Sequence, residues 1–293
     1  MVRAEPCGTQ GTVVMDYQWY PGHMTKARRM MQENIALIDL LIELTDARAP
    51  QAGRNPDIDT LAKGKSRIVV LNKADLADPA VTEAWRSLYE KDGFLTAAID
   101  SRRGSGVRQL KPLIDRACAE KIERNRKKGI VNRPVRAMIA GIPNVGKSTF
   151  INSFAGRAVA KTGDKPGVTR GRQWIRLNKN AELMDTPGIL WPKFDDQEVG
   201  MKLALIGSMR DEITDPEELA VWLIRYLGRE YPDAIGNRYQ VAGDGEVAEV
   251  LKGIALRRGC LKAGGEADLE KASRSLIDDF RSGRLGSITL EKC

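Results

Sequence analysis

GIPNVGKS, residues 141–148, fits the pattern G-x-x-x-x-G-K-[ST]. It follows VRAMIA (135–140), a short apolar run that reads as a buried strand. It precedes TFINSFAG (149–156), which reads as a helix. Strand, glycine loop and helix are the context the motif needs. Glycine lets backbone N–H groups curl around phosphate oxygens, and the helix N-terminus adds its positive end. Asn144, Val145, Gly146, Lys147, Ser148 and Thr149 are therefore the candidate phosphate cradle. Lys147 would reach the β- and γ-phosphates, and the Ser148 hydroxyl would ligate Mg²⁺.

Downstream, DTPG (185–188) follows the short strand AELM (181–184). Asp185 would hold Mg²⁺, and the Gly188 amide could meet the γ-phosphate. Between the two motifs, KPGVT (165–169) offers Thr169 as a second hydroxyl for the metal; in isolation it would read as an ordinary proline-glycine turn.

The base is decided upstream, by NKAD (72–75) after the buried strand RIVVL (67–71). Asp75 would accept from the ring N–H and exocyclic amine of guanine. Adenine lacks that donor pair and would leave the carboxylate unmatched. Asn72 braces the loop, the Lys73 stem can lie over the base, and Ala74 is the spacer of the motif. Asp100 and Ser101, after FLTAAI (94–99), occupy the place where a backbone amide would contact the guanine oxygen. The expected nucleotide is GTP, with GDP as product, and not ATP.

The order base, phosphate, DTPG is not that of ordinary GTP-binding domains, where the phosphate loop comes first. A compact domain with neighbouring termini tolerates such a rearrangement, because packed elements keep their places while connections change. The new joint is 102–134. It contains the helix-like SGVRQLKPLIDRACAEKIERN (105–125) and the run KIERNRKKGIVNRPVR (121–136), with seven Lys/Arg against one Glu.

Bulk properties narrow the rest. The chain has 293 residues, 42% hydrophobic and 29% charged, which is globular composition. Its most apolar stretch, IALIDLLIEL (35–44), is short and carries Asp39 and Glu43, so membrane insertion is not expected. Four scattered cysteines without CxxC spacing read as free thiols of a reducing cytoplasm. A net charge of +8 suggests a polyanionic partner, the alternative being a merely basic surface. Residues 1–14 show no periodicity and are expected to be a disordered extension, with Met15 a possible start. A monomer is the default.

The carboxy-terminal third reads as helical. DPEELAVWLIRYLG (215–228) has an Asp215 cap and Pro216 at the first helical position. Its stripe is Leu219, Trp222, Leu223, Tyr226 and Leu227. Val247, Val250, Leu251 and Ile254 mark a second helix; Leu269, Ala272, Leu276, Ile277 and Phe280 mark a third.

With these pieces assembled, the sequence resembles the circularly permuted GTPases of the YlqF/RbgA type. The matching segments are WYPGHMTKA (19–27), DARAPQAGRNP (46–56), NKAD, GIPNVGKST (141–149), KPGVTR (165–170), DTPGIL (185–190) and LGSITLE (285–291), in that order. The resemblance implies an α/β fold: a circularly permuted P-loop GTPase domain with a mostly parallel six-stranded sheet and helices on both faces, plus a small all-helical C-terminal domain. The expected boundaries are 15–208 and 209–293. It also implies action in late assembly of the large (50S) ribosomal subunit, with GTP turnover stimulated by that particle. A mitochondrial-ribosome counterpart is the alternative source, although no Arg/Ser-rich amphipathic leader is evident. A reading of another class is a GTP-gated RNA-binding placement factor with slow, incidental hydrolysis.

Three residue-level expectations follow. Ile189 and Leu190 stand where many GTPases carry a water-orienting glutamine. The permutation starts the chain beside the DTPG segment, so His23, the only histidine, is a candidate to orient or deprotonate the attacking water; the alternative is a turn histidine before a helix beginning near Met24. The resemblance implies that Asn144 helps coordinate K⁺ beside the phosphates, the alternative being a loop cap. Arg257, Arg258, Lys271, Arg274 and Arg281 are candidate rRNA contacts, against the reading of a solvated face.

Overall fold

The computed structural model describes residues 22–130, 133–160, 173–176, 181–191, 194 and 196–293. The expectations for residues 1–14 and for Thr169 lie outside them.

Seven described helices and six strands precede the helical third. In chain order these are α1 (Gly22–Asn34), β1 (Leu40–Asp46), α2 (Pro56–Leu61), β2 (Ser66–Asn72), α3 (Pro79–Lys91), β3 (Leu95–Ile99), α4 (Leu110–Ala117), α5 (Ala119–Lys127), β4 (Val135–Ala140), α6 (Lys147–Ala155), β5 (Gln173–Arg176), β6 (Ala181–Asp185) and α7 (Gln197–Leu205). The sheet order is β3-β2-β1-β4-β6-β5. All neighbours are parallel except β5, which runs antiparallel to β6 at the edge. β1 is buried at every position, as a central strand covered by helices on both faces must be. Its Glu43 is tolerated inside because Arg54 and Arg67 pair with it.

Parallel strands deliver all their C-terminal ends to one edge. β2 ends at Asn72, β3 runs into Asp100 and Ser101, β4 into the glycine loop, and β6 ends at Asp185. Four motifs scattered over more than a hundred positions of sequence thus meet at one rim. The permutation leaves this meeting intact, because β4 sits between β1 and β6 whatever the chain order.

Helix α1 starts at Gly22, so His23 belongs to its first turn and not to a turn preceding it. Ala27 and Met31 of α1 pack into an apolar cluster with Met138, Met184 and Ile189. The first described helix therefore lies directly against the residue that follows DTPG.

The remaining helices are α8 (Pro216–Glu230), α9 (Asp233–Tyr239), α10 (Val247–Arg258) and α11 (Leu269–Arg281). Asp215 caps α8 by accepting from the amides of Glu217 and Glu218. The three expected stripes face the core, with Trp222, Val247 and Leu269 only partly buried against it, and α9 is an additional helix. The core is continuous between the two regions: Leu203, Leu205 and Met209 join Leu219, Leu223 and Leu276 in one cluster. The carboxy-terminal tail closes the joint. Leu290 donates its amide to the Arg48 carbonyl at 2.7 Å, and Ile288 donates to the Leu76 carbonyl at 3.1 Å. The buried Glu291 carboxylate accepts from the amides of Gln51 and Ala52, and Tyr226 donates its hydroxyl to the Thr289 carbonyl.

No helix among the described residues is long and apolar enough to cross a membrane. Cys118, Cys260 and Cys293 are free thiols.

Candidate nucleotide site

A cavity of about 1180 Å³ opens at the C-terminal rim of the sheet, with Lys73, Asp75, Asn144, Lys147 and Ser148 among its walls. Asn72 is the hinge of this site. Its Nδ2 donates to the Val145 carbonyl at 2.7 Å, and its Oδ1 accepts from the Ser101 amide at 3.1 Å and hydroxyl at 2.7 Å. One buried amide thereby ties the base loop, the phosphate loop and the loop after β3 together. The junction also dictates Gly146, whose φ is +92°, and where a Cβ would stand 2.6 Å from Asn72 Nδ2.

Lys147, 7% exposed, opens α6. Its Nζ donates to the Gly141 and Ile142 carbonyls at 3.1 and 2.7 Å, folded back on its own loop. Burial pulls its pKa down to about 8, with the Asp185 carboxylate opposing the drop. The DTPG segment lies against this loop. The Thr186 hydroxyl donates to the Ile139 carbonyl, and the Ile189 amide to that of Gly141. A Cβ at Gly188 would stand 2.7 Å from the Pro143 backbone and 2.9 Å from Lys147 Nζ. Only glycine allows this approach. Ile189 and Leu190 are fully buried, so neither side chain faces the cavity.

On the base side, Lys73 adopts a left-handed conformation and its Nζ meets Asp46 Oδ2 at 2.9 Å, while Asp75 is exposed. Burial lowers the Lys73 pKa, with the Asp46 charge opposing. Asp46 is also held by Arg48 through Nε and Nη2, at 2.9 and 2.8 Å. Burial would raise this carboxyl, yet Arg48 and Lys73 hold it well below the usual range. Arg48 in turn donates to the Arg281 carbonyl and stacks on Phe280. No local pattern in the DAR segment announced this chain from base loop to α11; only its position after a buried strand hinted at a rim location.

The amides of Asp100 and Ser101 are engaged by the Ser105 carbonyl and by Asn72, and the Asp100 carboxylate accepts from the amides of Arg102 and Arg103. Both residues line the cavity and shape its loop. The structure departs from expectation at one candidate RNA contact. Arg281 does not share the open face of Lys271 and Arg274. It donates to the Ala204 and Leu205 carbonyls and pairs with Asp211, because the last carbonyls of α7 need donors. Arg257 and Arg258 are exposed, Arg258 touching Ser275, and Arg274 pairs with Glu270.

Asn144 is left-handed, with φ of 60°, and donates to the Gly207 carbonyl at 2.7 Å. The His23 side chain and Thr169 are outside the described residues. Ser148 and Asp185 provide a hydroxyl and a carboxylate beside the phosphate loop. This small oxygen set suits a Mg²⁺ that takes most of its shell from phosphates and water.

Comparison with known proteins agrees with this geometry. The family described as "50S ribosome-binding GTPase" matches residues 136–240. That span starts at the phosphate strand and omits NKAD. The chain is 47% identical to ribosome biogenesis GTPase A of Bacillus licheniformis, over 95% of this chain and 99% of that protein. It is 46% identical to the protein of the same name from Priestia megaterium, over 94% and 97%. Among solved structures, GDP-bound TM YlqF superposes with a TM-score of 0.67 at 26% identity, covering 89% of this chain and 98% of that one.

Proposed function

The chain belongs to the ribosome biogenesis GTPase A family and is a circularly permuted GTPase, and from that footing we propose that it serves a late step in maturation of the large (50S) ribosomal subunit. In the GTP state it binds the precursor particle and its rRNA, and particle-stimulated hydrolysis releases it. The Asn72–Val145 bond supports the nucleotide half of this reading, because it joins a guanine-type base motif to a phosphate loop that follows it in sequence, and the relatives support the ribosomal half.

The division of labour is as follows. Residues 15–208 form the GTPase unit and 209–293 the helical unit. Asp75 recognises guanine, and the backbone from Asn144 to Thr149 with Lys147 grips the phosphates. Ser148, Thr169 and Asp185 would hold Mg²⁺, which when bound offsets charge on the phosphate oxygens. Because Ile189 is buried, water is oriented from elsewhere. His23 is our candidate, supported by the seat of α1 against Ile189. Asn144 can offer its amide oxygen to K⁺ once its side chain leaves Gly207. Arg257, Arg258, Lys271 and Arg274 form an rRNA-facing set on the helical unit. The protein acts as a cytoplasmic monomer.

Co-sedimentation with late large-subunit precursors tests this. Retention with a non-hydrolysable GTP analogue and release with GDP are expected; equal partition in both states contradicts it.

A further inference from the structure

Helix α5 carries AEKIERNRK and buries none of its residues. A helix with no buried residue normally has a fully polar surface, yet this one leaves Ile122 44% exposed, and Ile130 just beyond it is 43% exposed. Between them and the start of β4 lies a groove of about 210 Å³, walled by Cys118, Ile122, Ile130 and Val135. Asn125, Arg126 and Arg133 stand at its rim.

Charge surrounds this apolar slot. Arg124, Arg126 and Lys128 are exposed and have no acidic partner among the described residues. The carboxylate at the floor, Asp39, is neutralised by Lys121 and Arg133 and accepts from the Arg136 amide, so it does not repel an anion. A purely phosphate-binding patch needs no apolar slot, and an apolar protein partner needs no such density of cations. The volume is below the roughly 300–1,000 Å³ of pockets that enclose whole drug-sized ligands, and suits a single flat ring. Cations on the rim with a stacking slot at the centre is the arrangement that takes unpaired nucleotides, phosphate outside and base inside.

We propose that the α5 groove is a second RNA-contact surface that grips unpaired nucleotides of rRNA. It rests on the ribosomal reading above and adds a site to it. The groove lies at the N-terminal ends of β1 and β4, across the sheet from the nucleotide rim. RNA held there leaves the GTP cavity open.

The test is anisotropy with a labelled single-stranded RNA 12-mer and its duplex, over a KCl series. The full-length variants are Arg124→Ala/Arg126→Ala/Lys128→Ala and Ile122→Ser/Ile130→Ser. The triple variant should bind the single strand at least about tenfold more weakly, with a log–log salt slope lower by roughly 2. The isoleucine variant should lose about fivefold or more on the single strand, keep the salt slope, and leave duplex binding unchanged. GDP affinity should match wild type in both, which also reports that they fold. Unchanged RNA affinity in both variants overturns the groove. Wild type that sediments with large subunits while the variants do so equally and keep their RNA affinity leaves the ribosomal reading standing and removes the groove. The expected RNA losses, with no sedimentation by wild type, would keep the groove and remove the ribosomal reading.

Discussion

Asn72 and Val145, 73 positions apart in sequence, are joined by a 2.7 Å hydrogen bond from a buried side-chain amide to a phosphate-loop carbonyl. This bond holds the two halves of a nucleotide site at a fixed distance although the chain visits them in reversed order. Asn72→Ala would leave the Val145 carbonyl and the Ser101 amide and hydroxyl without this partner. Each orphaned group costs about 1–3 kcal/mol. Titration of the variant should give a Kd for both GDP and GTP weakened by tenfold or more, in similar proportion. An unchanged Kd would remove Asn72 from its bridging role.

Lys147 supplies a pH signature. Burial sets its pKa near 8. Phosphates arriving beside it stabilise the ammonium and raise that value. Nucleotide binding at pH 8.5 should therefore take up roughly 0.7 proton, and at pH 6.5 almost none, because the lysine is already charged there. Calorimetry in buffers of different ionisation enthalpy measures this directly. The same depression weakens the protein without nucleotide below pH 8, where the buried amine is charged. Its contribution to stability should improve as pH rises from about 8 towards the lysine's ordinary value.

Ile189 marks where a water-orienting glutamine is absent, and its burial says that the substitution cannot simply be reversed. Its side chain fills the cluster made by α1, β4 and β6. Ile189→Gln should lower stability by about 1–3 kcal/mol, through an unmatched buried amide, and should not raise intrinsic GTP turnover. Urea denaturation and a phosphate-release assay read the two effects. A faster variant would mean that this position does reach the cavity.

Arg48 connects the nucleotide site to the helical region. It neutralises Asp46, which also holds Lys73 of the base motif, and it donates to the Arg281 carbonyl. Arg48→Met leaves a buried carboxylate short of its main partner, a loss of about 3–5 kcal/mol. The unfolding midpoint should fall accordingly, and guanine-nucleotide affinity should fall with it as Lys73 loses its anchor. A stable variant with normal affinity would separate the two regions.

Much of this site could be read in advance, for a definable reason. Glycine spacing, the lysine after Gly146 and the apolar runs before each motif are local signals, and local geometry follows from them. The same holds for α8, whose Asp215 cap and five-residue stripe lie within one segment. What could not be read is pairing over long separation. Nothing near Glu291 announces the amides of Gln51 and Ala52, nor does anything near Arg281 announce the end of α7. Helix α9 went unread because its seven residues contain Gly236 and too short a stripe to register a period. Burial of Ile189 was unread for another reason: an apolar residue after DTPG says what is missing from the catalytic position, but not which way the side chain turns.

The most direct test of the account is steady-state GTP turnover in KCl, with and without purified large ribosomal subunits, for wild type and His23→Ala. The account predicts strong stimulation of wild type by the subunits, and its loss in the variant with subunit binding retained. Turnover of wild type that is indifferent to the subunits would contradict it.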